Sequence, residues 1–575
     1  MGYDIRIDNA TIVDGTGSPG YRGSIGIKDG RIDALGEAPD AAATVIDADG
    51  KVAAPGFIDI HTHYDAQIIW DRMLTVSPWH GVTTVLLGNC GFGIAPTKPE
   101  HRDLIAGTLE KVEGMSLRAL TEGLADWPFE SFPEYLDAIE DRGIAVNVAC
   151  YLGHSPLRVY VMGEDAMSRT ATDDEVARMK TLLREALEAG AIGLATSESP
   201  NHIGYQGRPV PSRLADDAEQ EALADVMGEM GRGVMQVSAG GEIRFDHYET
   251  LAAKTGNNFN WSSLLTRRTH PELHRQYADR TSALIESGKP IYPQMSCREL
   301  TMEFDFGEPF PMERLELFEQ FGGMDLEQRK TIYRDPEFRA ALAKEMSPEG
   351  SDAGPVVRLR GAWADTVVSD CPTDPSLEER RLDDIAAERG MTPVDVALDI
   401  SLESDFAARF RIPLANNLED GVRELLRNPY TLLGLSDAGA HTSQLCDACF
   451  STHLLGHWVR DKKAIPIEEA VRKLTSLPAD VFGLEGRGRL VEGGPADVVV
   501  FDPETVGAGK LRRAADLPGG EQRLVVDAHG MEAVIVNGVM LRDSSGDVLS
   551  SDGPLPGRLL RGGGSGPGKT QSKAG

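Results

Sequence analysis

Two histidines stand one residue apart in "GFIDIHTHYDA", residues 56 to 66, where an apolar run gives way to polar residues. In a strand, residues i and i+2 project to the same face, so His61 and His63 point together. Imidazole suits zinc and other transition metals, and an H-x-H pair at a strand end reads as a ligand pair. Asp65 extends the same polar face. Asp437 ends another apolar run, "LLGLSDAGAH". A carboxylate there is costly to bury unless it is paired or bound to metal. It reads as a ligand that also serves as general base, with strand-end capping as the alternative. Cys90, in "LLGNCGFGIAP", offers a thiolate ligand, against the alternative of an inert buried thiol. His154, ending "YLGH", and His441, in "DAGAH", are candidates for contact with substrate or for purely structural work.

These residues need elements that bring them together. Eight apolar segments can serve as strands: "GFIDIHTH", "TTVLLGNCG", "IAVNVACYLGH", "AIGLATSES", "GVMQVSAGG", "NFNWSSLL", "PIYPQMS" and "LLGLSDAGAH". Helical stretches such as "DDEVARMKTLLREALEAG" fall between several of them. Short apolar strands alternating with helices indicate βα units and a parallel sheet. Eight of them predict an α/β fold, a (β/α)8 TIM-like barrel, with the candidate residues at the strand C-termini where such barrels place chemistry. Both chain ends have a different texture. "YDIRIDNATIVDG" and "GSIGIKDGRIDALG" alternate with Asp-Gly turns, and "GRLVEGGPADVVVFDPETV" resembles them late in the chain. The expected organisation is a small β-sandwich from residues 1–54 and 483–545, a barrel over 55–482 carrying a helical insertion at about 302–415, and a disordered Gly-rich tail over 546–575. Within that tail "GGSGPGKT" fits G-x-x-x-x-G-K-T, but no strand precedes it and no helix follows, so nucleotide binding is not expected.

The 575 residues carry a formal net charge of −32, which argues against a nucleic-acid partner and against anionic membranes. No apolar run reaches the length of about 18 residues that spans a bilayer, and the opening residues carry no secretory leader pattern. Six cysteines are few and scattered. Cys446 and Cys449 form a C-x-x-C without a second pair, which disfavours structural zinc. A cytoplasmic enzyme with reduced thiols and a small-molecule substrate is expected; assembly into a homo-oligomer is left open.

The blocks "PGFIDIHTHYDAQ", "GVTTVLLGNCGFGIAP", "LREALEAGAIGLATS" and "LGLSDAGAH" resemble the amidohydrolase superfamily, and more closely its N-acyl-D-amino-acid deacylase (D-aminoacylase) family. The resemblance runs from residue 1 to about 545. It implies a metal-dependent barrel that hydrolyses an amide to a carboxylate and a free D-amino acid. By motif, His61 and His63 take the strand-one ligand places, Cys90 the place of the family's metal-binding cysteine, and Asp437 that of its catalytic aspartate. Family members also carry histidine ligands on strands five and six, where this chain reads "GVMQVSAGG" and "NFNWSSLL". The nearest histidines, His247, His270 and His274, lie outside those strands. One zinc ion, or another divalent metal, held by His61, His63 and Asp437 is the expectation that follows. An arginine should grip the substrate carboxylate in bidentate fashion, with Arg298, Arg267 and Arg268 as candidates. Two other readings are a cyclic amidase acting on a hydantoin or lactam, and a non-catalytic barrel scaffold.

Overall fold

The computed structural model describes residues 2–240, 243–309, 312, 315–347 and 362–562. All eight expected strand segments pair in parallel and in sequence order. Phe57–Asp59 pairs with Val82–Leu87, which pairs with Asn147–Cys150. After Tyr151, Leu152–Gly153 continues that strand and pairs with Gly193–Ser197. Val234–Ser238, Asn258–Ser262, Ile291–Met295 and Leu432–Leu433 follow in turn. A parallel bridge between Thr62 and Ala438 then returns the last segment to the first.

These strands are buried apart from the half-buried Tyr292, because helices cover them, as a parallel sheet requires. The helices start where the sequence supplies caps. Ser131 and Glu134 form a capping box for Phe132–Arg142, and Thr172 and Glu175 do so for Asp173–Ala189. Gly190 ends the latter at φ +116, and a Cβ there would lie 2.5 Å from the Cβ of Arg561. That position therefore needs glycine twice, for its backbone and for the C-terminal segment crossing it. Residues 546–562 were expected to be disordered, but they pack against the ring. Gly557 N donates to Ile144 O at 2.7 Å, Val148 N to Arg558 O at 2.9 Å, and Leu560 N to Val148 O at 2.7 Å. Backbone bonds and the partly buried Leu559 and Leu560 outweigh the glycine-rich composition there. The remainder of the expected tail, including the phosphate-loop lookalike at 563–570, lies outside the described residues.

The segment expected as a helical insertion has a mixed structure. Leu300–Phe304, Arg409–Ala415 and Val367–Asp370 form a three-stranded antiparallel sheet with Arg409–Ala415 in the middle. Helices Leu326–Arg334, Pro336–Met346, Leu382–Arg389 and Pro393–Glu403 close over a separate apolar core that includes Phe304, Phe306, Tyr333, Phe338 and Phe410. The sheet reaches back to the mouth of the parallel ring through Leu300, Leu414 and Ala415.

Both chain ends join one nine-stranded sheet, where Val52–Pro55 pairs antiparallel with Val498–Phe501. Gly507–Ala514 and Arg523–His529 form a separate ribbon. A buried polar knot ties the nine-stranded sheet to the ring. Asp497 accepts from Asn147 Nδ2 at 2.9 Å and from Asn537 N at 2.7 Å, and it pairs with Arg487. Arg487 also donates to Asn537 Oδ1 at 2.9 Å. Removing one partner of a buried pair leaves a charge without its counterion. Arg487→Leu should therefore destabilise the protein by about 3–5 kcal/mol in denaturant unfolding. Adding Asp497→Asn should restore part of the loss, and a single variant as stable as the wild type would remove this pair from the account of the junction.

Candidate metal centre

His61 and His63 leave the first parallel strand together, as the alternation of side chains requires. His61 Nδ1 lies 2.6 Å from Gln294 Oε1. The amide of Gln294 donates to Asn260 Oδ1 at 2.8 Å, and Asn260 Nδ2 donates to Tyr151 OH at 3.0 Å. That chain orients the Gln294 carbonyl toward the ring, so the His61 proton sits on Nδ1 and the Nε2 lone pair faces the mouth. Asp437 Oδ1 lies 3.3 Å from this Nε2 and 3.8 Å from His63 Nε2, while Cys90 Sγ is 3.2 Å from His61 Nε2. The ligand atoms of His61, His63 and Cys90 all lie within 4.8 Å of one another. On its other side, His63 Nδ1 lies 3.1 Å from Glu113 Oε1.

Electrostatics make this cluster costly as it stands. Burial pushes the Cys90 thiol well above its usual range and His63 well below. Burial, with Asp437 and Asp65 adding to it, also raises the Glu113 carboxyl well above its ordinary value. Asp65 is raised by burial to about 7. Lone pairs, a thiol and carboxylates thus converge where little water reaches, an arrangement that a divalent cation would satisfy. The backbone is bent to achieve it: Cys90, Asp437 and His441 hold φ of +57, +46 and +48. Asp437 remains 22% exposed against 1% for His61, so its carboxylate reaches a cavity of about 310 Å³ beside the cluster.

His441 lines that cavity, as does Arg267. Three candidate residues, His154, Arg298 and Arg268, do not. His154 is fully buried, held by Thr196 Oγ1 at 2.9 Å and Glu219 Oε1 at 2.8 Å, with Arg158 on the same carboxylate. Both ring nitrogens are engaged away from the mouth, an arrangement suited to a structural role. Arg298 turns instead to a neighbouring cavity, pairing with Asp447 at 2.8 Å and donating to Cys449 Sγ at 2.7 Å. Arg268 pairs with Asp365. His247 meets Gln220 and His274 meets Glu424, both away from the cavity lining. Strands five and six present hydroxyls to the mouth instead of imidazoles, with Ser238 Oγ 3.3 Å from Ser262 Oγ.

Sequence reasoning missed Glu113, Gln294 and His202. Glu113 closes the helix Arg102–Glu113, in a connection after strand two that carries no motif. Gln294 was detectable as a polar residue in the middle of the apolar segment "PIYPQMS". His202 follows strand four in "ESPNHIG", lines the cavity and bonds Ser197 Oγ at 2.6 Å; burial holds it down at about 3, so it is neutral.

The chain matches the amidohydrolase family over residues 44–541. It is 33% identical over 518 residues to the D-aminoacylase of Alcaligenes xylosoxydans xylosoxydans, covering 88% of this chain and 89% of that protein. A solved D-aminoacylase, studied for its binuclear metal centre with one-metal activation and second-metal attenuation, superposes with a TM-score of 0.65 at 26% identity, over 97% of this chain and 100% of that one. The N-acyl-D-glutamate deacylase of Bordetella bronchiseptica, solved with zinc and a phosphonate mimic of the tetrahedral intermediate, superposes with a TM-score of 0.66 at 26% identity, over 98% of this chain and 100% of that one. Matched over most of its length by the family and by these relatives, the chain belongs to the amidohydrolase family, in its N-acyl-D-amino-acid deacylase branch.

Proposed function

We propose that this protein is a metal-dependent hydrolase that cleaves the amide of N-acyl-D-amino acids to a carboxylate and a free D-amino acid. The observation that carries the reading is the convergence of His61, His63, Cys90 and Asp437 on one point beside an open cavity. Relatives that cover most of the chain include a D-aminoacylase and an N-acyl-D-glutamate deacylase, the latter solved with zinc. The corresponding architecture is a (β/α)8 barrel over residues 55–482, interrupted by the insertion at about 302–415, with a β-sandwich built from 1–54 and 483–545. Among the described residues no helix is long and apolar enough to cross a membrane, and a cytoplasmic enzyme acting on a small molecule is the reading we adopt.

His61, His63 and Asp437 would hold one zinc ion, with Cys90 beside them. When bound, the metal supplies Lewis acidity, polarising the scissile carbonyl and acidifying water. The other work falls to the chain's own groups. Asp437 accepts the proton of the attacking water and passes it to the nitrogen of the leaving amine. Gln294 keeps the His61 ring in one tautomer and one orientation. Arg267 lines the cavity and takes the substrate carboxylate, where its planar fork can bind both oxygens. Phe92, Leu265, Leu300, Leu414 and Leu435 wall the same cavity and exclude water from the reacting bond.

Asp437→Asn should lower kcat on N-acyl-D-amino acids by roughly 10²–10⁴-fold, and undiminished turnover would refute its role as base. Arg267→Ala should reduce kcat/KM by about 10–100-fold, equivalent to losing a charged hydrogen bond of about 1.5–3 kcal/mol, with Arg267→Lys recovering part. An unchanged KM would move the carboxylate site elsewhere. Chelation should abolish activity, and zinc added back should restore it to a plateau near one equivalent. Because Ser238 and Ser262 stand at the ends of strands five and six, excess zinc should not attenuate turnover as a second metal does in the solved D-aminoacylase. A requirement for two equivalents would overturn the single-ion reading.

A further inference from the structure

We infer that Glu113 is a positioning residue that orients the ligand His63 and joins it to the loop carrying Asp437 and His441. The inference rests on the metal-hydrolase reading above. Glu113 is buried at the C-terminus of the helix Arg102–Glu113, outside every strand that supplies a candidate ligand. Its Oε1 lies 3.1 Å from His63 Nδ1, and His63 Nε2 faces Asp437 on the opposite side of the ring. An imidazole that gives Nε2 to a cation carries its remaining proton on Nδ1, and a carboxylate at that distance both fixes the ring and raises its donor strength. The same residue acts a second time through its main chain, because His441 N donates to Glu113 O. Gly114 caps the helix at φ +56, and a Cβ there would stand 3.4 Å from His441 Nδ1, so the two segments are seated against each other. A connection after strand two thereby sets the geometry of a ligand from strand one and of the loop after strand eight. A carboxylate buried at a helix C-terminus, where the macrodipole disfavours negative charge, has no advantage for the helix itself. Its placement is explained by what it faces.

Zinc affinity, measured by competition with a chromogenic chelator, tests this on the full-length protein. Glu113→Ala should bind zinc about 10–100-fold more weakly than wild type, the usual cost of losing such a partner. Glu113→Gln should bind several-fold more weakly than wild type but more tightly than Glu113→Ala, since its carbonyl can still accept the Nδ1 proton. Melting curves of the metal-free proteins should coincide, which a residue that merely packs the helix end would not give. An affinity unchanged in Glu113→Gln overturns the inference, whether or not the alanine variant folds. Wild-type protein that binds no zinc overturns the metal-hydrolase reading and this inference together, whereas zinc binding equal in wild type and both variants overturns this inference alone.

Discussion

The structure turns on a set of electron-pair donors held against one another in a place that water barely reaches. His61 Nε2, His63 Nε2, Cys90 Sγ and Asp437 Oδ1 approach within about the reach of one ion, and no lysine or arginine side chain lines their cavity beyond Arg267 among the described residues. Such a cluster survives folding only when the surrounding scaffold leaves it no way to relax. Two of its members, Cys90 and Asp437, and the adjacent His441 hold left-handed backbone, each costing on the order of 1–3 kcal/mol. A ring of parallel strands buried on both faces, locked to a sheet made from both chain ends, is rigid enough to hold that strain.

The interior of the ring explains a compositional oddity. Strands five to seven carry Gln236, Asn260 and Gln294 where a buried parallel strand normally carries branched apolar residues. Each has a partner: Gln236 Oε1 accepts from Cys90 N at 2.9 Å, and Gln294 and Asn260 form the relay from His61 to Tyr151. A buried polar network that is satisfied along its length specifies one arrangement, since any slip would leave several groups unpaired at once. The amides therefore serve the site from below, and the apolar helices need only cover the outside.

Much of this was legible in the chain and some was not, for identifiable reasons. The eight parallel strands could be read because burial on both faces forces continuous apolar runs, and His61 with His63 because a two-residue spacing has one geometric meaning in a strand. Asp437 stood out as a charge ending such a run. Glu113 could not be read, since its role depends on where a helix ends relative to a strand 50 residues earlier in sequence. His154 and Arg298 looked available because their partners, Glu219 and Asp447, are brought in by the fold. The insertion looked helical because its strands are short and separated by long helical stretches, so their pairing is a tertiary fact. The final segment looked disordered because glycine content hides the backbone bonds that Arg558 and Leu560 make with Val148.

The same acidic mouth sets a condition on the substrate. An N-acyl amino acid is an anion, yet the site is built around Asp437, Glu113 and Asp65 in a chain whose formal charge is −32. Burial raises Glu113 and Asp65 toward their neutral forms, which leaves Asp437 as the group on the cavity wall that opposes an anion, in a poorly hydrated site where such repulsion is weakly screened. On the proposed reading, a divalent ion would reverse the sign of the local field beside His61 and His63, and Arg267, which lines the same cavity, would supply a second positive group. Metal and substrate would then be linked thermodynamically, each raising the affinity for the other by the same factor. The ion that would activate the reacting bond would therefore also make the cavity hospitable to an anion.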